Sequence, residues 1–246
     1  MRLIDRPSPN FGPRPPHLPI DMLVLHYTGM ADADSALARL ADPAAEVSAH
    51  YLVEEDGTIH RLVEEKARAW HAGESFWAGE RDINSRSIGI ELVNPGHDLG
   101  YRPFPEAQMA ALEDLALDIL SRHPIPAQRV LGHSDVAPSR KRDPGELFDW
   151  ASLARAGIGL WPEDRVRIQV LPRDLGPGDS DPLIAEAQGL LTRYGYEVEP
   201  TGTLDPRTVE VLTAFQRHYR TWKVDGCLDG ETLGRLSALV ERISIW

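Results

Sequence analysis

Cysteine is nearly missing from this chain of 246 residues: Cys227 stands alone, which excludes an internal disulfide and fits a reducing compartment. Long apolar runs are missing too. The first short one, Met22 to Leu25, is too brief for the core of a signal peptide, and no stretch approaches the roughly 20 apolar residues needed to cross a bilayer. A cytoplasmic protein with no membrane span is expected. Positive charge is scarce, with 26 Lys and Arg against 38 Asp and Glu, so at a net charge of −12 the chain repels a bare phosphate backbone, which argues against nucleic acid as a partner. The His-Glu-x-x-His helix of the common zinc peptidases is absent as well.

What is present reads as alternating strands and helices. Asp21 to Tyr27 is a short aliphatic run that predicts a buried strand with His26 near its end. A short helix is expected over Ala36 to Leu40, before Asp42-Pro43. Residues Ala49 to Val63 predict a hairpin turning at Asp56-Gly57, because glycine there supplies the positive φ of a tight turn. Ile88 to Val93 predicts another strand. From Glu106 to Leu120, Met109, Leu112, Leu115, Ala116 and Ile119 recur at helical spacing behind Pro105. The expected fold is α/β, a central mixed sheet flanked by helices.

The text changes between Trp161 and Asp181, where Pro162, Pro172 and Gly176-Pro177-Gly178 break it up, around a possible lone strand over Val166 to Leu171. Beyond lies a repeat, Gly202-Thr203-Leu204-Asp205 against Gly226-Cys227-Leu228-Asp229, in which each Asp can cap a helix three residues before a Thr. With Ile184, Ala187, Leu190 and Leu191 upstream, a small three-helix domain is expected. The division is then a first domain over 1–162, a linker over 163–180 and the helical domain over 181–246. Because its helices carry their own apolar faces, the first part should stand alone when cut before Pro172.

Among nine histidines, position must choose. His26 at a strand end, Glu91 inside a strand, and the loop Gly132 to Gly145 with His133, Lys141, Asp135 and Asp143 stand out. A catalytic zinc takes three ligands from His and carboxylate and leaves a fourth position to water, which His26, His133 and Asp143 satisfy. By spacing alone Asp135 competes with Asp143. Glu91, between Ile90 and Leu92, either faces outward or needs a function to justify its burial. His50 is expected to be structural, and His17, His60, His97, His123 and His218 to lie on the surface.

Five motifs then occur in order: Val24-Leu25-His26-Tyr27-Thr28; Val47 to Val53 followed by Asp56-Gly57-Thr58-Ile59; Ala69-Trp70-His71-Ala72-Gly73; Ser87 to Asn94; and His133 to Gly145. Over about Leu18 to Trp150 the chain resembles the type 2 N-acetylmuramoyl-L-alanine amidases, the AmpD and AmiD group, which share a fold with the peptidoglycan recognition proteins. The resemblance implies zinc, one per chain, on His26, His133 and Asp143, with Glu91 and Lys141 as the catalytic pair. It places Tyr51, Trp70, His71 and Asn94, which stand in these motifs, along the substrate groove. The implied reaction is hydrolysis of the amide between N-acetylmuramic or anhydro-N-acetylmuramic acid and L-alanine in peptidoglycan or muropeptides. A fragment sensor without catalysis, and a zinc peptidase cutting the stem peptide, are the alternatives. Roughly Asp181 to Glu241 resembles a peptidoglycan-binding module, which could instead serve stability or dimer contacts. Such a module points to the periplasm as the alternative compartment.

Overall fold

A computed structural model describes residues 2–162 and 166–243. Its strands are β1 (Arg2–Asp5), β2 (Phe11–Pro13), β3 (Met22–Tyr27), β4 (Tyr51–Val53), β5 (Thr58–Arg61), β6 (Ala67–Ala69), β7 (Ser87–Leu92) and β8 (Val130–Gly132). The helices of the first part are α1 (Ala33–Ala41), α2 (Ile83–Arg86), α3 (Gly96–Leu99), α4 (Glu106–Arg122), α5 (His133–Val136) and α6 (Trp150–Arg155). Three more follow, α7 (Pro182–Tyr194), α8 (Pro206–Tyr219) and α9 (Gly230–Ile243).

Six strands form a mixed sheet in the order β1-β5-β4-β7-β3-β8, parallel at every pairing except the β4–β5 hairpin. β2 and β6 pair separately. β3 lies between two parallel neighbours and is covered on both faces, which is why it reads as an unbroken apolar run until His26. Register decides the faces. His26 stands opposite Glu91, and Leu25 opposite Ile90, which in turn pairs with Tyr51. Side chains alternate along a strand, so His26, Glu91 and Gly89 share one face of the sheet while Leu25, Ile90 and Tyr51 share the other. The second face packs on Leu112, Leu115 and Ile119 of α4 and on Trp150 and Leu153 of α6.

The first face is covered differently. Met22, Val24 and Leu131 from the sheet, with Trp77 and Val136, belong to the same buried cluster as Leu191, Tyr194, Tyr196, Phe215 and Tyr219 of the C-terminal helices. The helical part packs on α5, which itself lies against β3 and β8, so its core is continuous with the apolar cluster under this face of the sheet.

Inside the helical part the repeat is visible as matched caps. Asp205 accepts from the Thr208 amide and hydroxyl at 2.8 and 2.9 Å, and Asp229 from those of Thr232 at 2.8 and 2.8 Å. The predicted short helix, the hairpin, the strand near Ile88 and the helix from Glu106 are all present. Val166 to Leu171 forms no strand; it runs as irregular chain against α9, with the Gln169 amide donating to Gly230 O. The remainder of the expected linker includes residues 163–165, outside those described. No helix among the described residues is long and apolar enough to cross a membrane.

Candidate active site and metal centre

Parallel sheets offer their chemistry at the carboxyl ends of the strands. Here His26 ends β3, Glu91 ends β7, and β8 runs directly into α5, whose first residue is His133. Asp143 is brought back to this point by the loop after α5, and the Ser134 amide donates to the Asp143 carbonyl at 2.9 Å. His26 Nδ1 lies 2.9 Å from His133 Nδ1, and each lies 3.0 Å from Asp143 Oδ2. All three side chains are buried.

The outer hydrogen bonds determine what these atoms are. The Ser87 hydroxyl gives its only proton to Ile83 O at 2.7 Å, so toward His71 Nε2, 3.0 Å away, it can only accept. A neutral His71 then has a bare Nδ1, which accepts from His26 Nε2–H at 3.0 Å. Burial first, and then the neighbouring His26, push the His71 pKa well below its ordinary value, which keeps it neutral. His133 Nε2 likewise donates to Ala72 O at 3.0 Å. Both imidazoles thus turn a lone pair on Nδ1 toward a carboxylate oxygen. Three acceptors packed this closely need a positive charge among them, and a metal ion with bonds of about 2.0–2.2 Å suits three donors better than a single proton does. The residues His26, His133 and Asp143 can hold a metal ion.

Electrostatics agree. Burial, followed by the neighbouring His133, pulls the His26 pKa down to about 4. Burial opposes the charge on Asp143, yet His133 and His26 hold it well below the usual carboxylate range. Asp135, the competitor by spacing, is turned away from this group and bonded elsewhere, its Oδ2 accepting from the Gly132 amide at 2.7 Å.

A cleft of about 340 Å³ opens over His133 and Asp143 and is lined also by Tyr27, His71, Glu91 and Lys141. Glu91 is half-buried, but its Oε2 is closed off from solvent and has no hydrogen-bond partner. Burial, reinforced by the charge of Asp143, pushes its carboxyl well above the usual range, while Lys141 acts in the opposite direction. The Lys141 ammonium faces the same cleft with no hydrogen bond or ion pair to the described residues.

Of the residues expected along a substrate groove, only His71 lines this cleft. Tyr51 lies on the opposite face of the sheet, and its hydroxyl donates to Glu65 at 2.7 Å. Asn94 is fully buried and pins the loop after β7, donating to Arg102 O at 2.7 Å and accepting from the Gly96 amide at 3.0 Å. Trp70 is half-buried beside Gly12 of β2. Strand parity takes Tyr51 away from the cleft, and loop closure uses up the Asn94 side chain. The expected surface histidines also divide: His17 is exposed, but His60 is buried against Glu54 and His218 is buried in the shared core. Sequence reasoning passed over Ser87 and Gly89. A glycine between Ile88 and Ile90 in a buried strand was the available signal, since it marks a close approach. A Cβ there would lie 2.4 Å from the His71 ring.

A family model described as N-acetylmuramoyl-L-alanine amidase matches residues 16–146. The chain belongs to this amidase family. A second model, described as a putative peptidoglycan binding domain, matches residues 180–236. The amidase is similar to the N-acetylmuramoyl-L-alanine amidase AmiD of Escherichia coli, with 43% identity over 91% of this chain and 83% of that protein. It is 36% identical to the 1,6-anhydro-N-acetylmuramyl-L-alanine amidase AmpD of Haemophilus influenzae, over 58% of this chain and 85% of that protein. Among solved structures it resembles E. coli AmiD in complex with anhydro-N-acetylmuramic acid-L-Ala-D-γ-Glu-L-Lys, with a TM-score of 0.80, 42% identity, and 92% and 91% of the two chains covered. AmpDh3 of Pseudomonas aeruginosa in complex with anhydromuramic pentapeptide gives 0.79 at 35% identity, covering 91% and 92%.

Proposed function

We propose that this amidase hydrolyses the amide between the lactyl group of an N-acetylmuramic or 1,6-anhydro-N-acetylmuramic acid and the first L-alanine of a stem peptide. His26, His133 and Asp143 hold one zinc ion, and Glu91 and Lys141 carry the proton and charge work. The observation that carries the reading is the convergence of three bare donors with a partnerless Glu91 oxygen at the mouth of one cleft.

A zinc ion held by these three residues would supply Lewis acidity, to polarise a carbonyl and lower the pKa of a water. Glu91 is suited to the proton transfers. Its Oε2 has no protein partner to satisfy it, and its raised proton affinity lets it take a proton from water and pass it to the leaving alanine nitrogen. Lys141 brings a cation to the same cleft and is suited to stabilise the negative charge that develops on the carbonyl oxygen in the transition state. A fragment sensor would have no need of the partnerless Glu91 oxygen, which costs free energy when buried.

Glu91→Gln tests the assignment. The amide keeps the shape and the zinc but cannot act as a base, so turnover of a defined anhydro-muropeptide should fall by about 10²–10⁴-fold. A variant with parental turnover would remove Glu91 from the reaction. Comparing soluble anhydro-muropeptide with intact sacculi distinguishes a recycling enzyme from one that works on the wall.

A further inference from the structure

Asp135 sits behind the proposed ligand His133 and takes no part in the cleft. Its carboxylate is 1% exposed and is held by three donors: the Gly132 amide at 2.7 Å and His218 Nδ1 at 2.7 Å on Oδ2, and the Tyr196 hydroxyl at 2.6 Å on Oδ1. Two of the three come from the C-terminal helical part, 61 and 83 residues away in sequence.

Both donors are themselves fixed. The His218 ring stacks on Trp150 at 3.7 Å and on Tyr219 at 3.8 Å, and its Nε2 has no partner, so its hydrogen bonding is spent on Asp135. Tyr196 meets Trp77 edge-on at 4.8 Å, and the adjoining Gly195 carbonyl accepts from the Ala78 amide at 2.8 Å. On the other side Asp135 grips Gly132, the residue at which β8 becomes α5, and His133 is the next residue. The same one-turn helix holds the Asp143 backbone through the Ser134 amide. A displacement of α5 therefore moves two of the three proposed ligands together.

We infer that Tyr196 and His218 are positioning residues for the metal centre, acting through Asp135 on His133, so that the peptidoglycan-binding-type part is a structural half of the catalytic unit. The inference rests on the reading of His133 as a ligand. Outer hydrogen-bond partners that orient a metal ligand are worth about 10–100-fold in metal affinity.

The test uses the full chain carrying Tyr196→Phe, His218→Leu or His218→Asn. Zinc dissociation constants come from chelator competition, and the cobalt-substituted protein supplies a spectrum of the coordination sphere. Tyr196→Phe keeps the ring against Trp77 and removes one oxygen. Standing one link further out than a direct partner of a ligand, it and His218→Leu should weaken zinc by about 3–10-fold and shift the cobalt bands, with kcat falling while KM for a muropeptide holds. In His218→Asn the amide can replace the Nδ1 donor, so affinity and spectrum should recover. Leu236→Ala, in the core of the helical part, should lower the melting temperature and leave both readouts alone. Parental zinc affinity and cobalt spectrum in folded Tyr196→Phe and His218→Leu would overturn the inference. Parental zinc affinity in His133→Ala would instead overturn the ligand reading beneath it.

Discussion

Replacing Gly89 by alanine adds one methyl group to the middle of β7, and the structure says where it goes. The new Cβ would lie 2.4 Å from His71 Cγ and 2.6 Å from its Cδ2 and Nδ1. Carbon atoms rest at about 3.5–4.0 Å, so the imidazole must retreat by about 1 Å. Its bonds to His26 Nε2 and to Ser87 Oγ are both 3.0 Å and would stretch beyond hydrogen-bond range. Two consequences follow. The crowding itself should cost about 1–3 kcal/mol of stability. The His26 ring, no longer held with Nδ1 toward the metal position, should bind zinc about 10–100-fold more weakly. Thermal unfolding of the metal-free protein reads the first effect and chelator competition reads the second. Ser87→Ala, which removes the oxygen that His71 donates to without adding bulk, should weaken zinc in the same direction. If folded Gly89→Ala binds zinc and turns over muropeptide like the parent, His71 does not orient His26 and the chain from Ile83 O to the metal position is wrong.

A chain ending before Pro172 would expose Trp77, which Tyr194 and Tyr196 now cover, and open the buried cluster that the first part shares with the C-terminal helices, so it should melt well below the parent or fail to fold; calorimetry giving the parental melting temperature would contradict the shared core. Acid should also destabilise the fold through His50, whose pKa burial and then Arg14 pull down to about 3. The unfolded chain, with an ordinary histidine pKa near 6.5, binds the proton first, so this stability is present above about pH 6.5 and is lost as pH falls toward 3. By pH 5 the loss is ~2 kcal/mol. Urea unfolding of the metal-free proteins at pH 7 and pH 5 should show the parent losing more than His50→Gln by about that amount, and equal losses would refute the assignment.

The group that could hold a metal ion was legible in the sequence because its residues stand near element ends, where short motifs survive as text: His26 closing an aliphatic run, and His133 and Asp143 within one Pro- and Gly-rich loop. Strands β3, β4, β5 and β7 and helix α4 were legible for the same local reason, hydrophobic period, whereas β1 and β8 were not. What failed was nonlocal. Tyr51 stands in a motif beside His50, but which face it occupies depends on pairing with Ile90, a register that no single strand reveals. His71 lines the cleft, yet its bond to His26 spans 45 residues and exists because Gly89 leaves room. His218 looks like a surface histidine on an amphipathic helix, and becomes buried because α8 docks on α5 and Trp150. Apolar faces were visible on both parts, and nothing in the periodicity says that two faces will meet each other.

The central claim joins one bond to one metal centre, and a single product analysis tests both. A defined anhydromuramyl tripeptide is incubated with the zinc-loaded enzyme, with the chelated and dialysed enzyme, with the same sample after zinc is restored, and with Asp143→Ala, and the products are identified by mass spectrometry. The account predicts anhydro-N-acetylmuramic acid and an intact tripeptide with a free L-alanine amino terminus, formed by the loaded and restored enzyme and by neither of the others. Cleavage inside the peptide, or the same products at the same rate from the stripped enzyme or from Asp143→Ala, would contradict it.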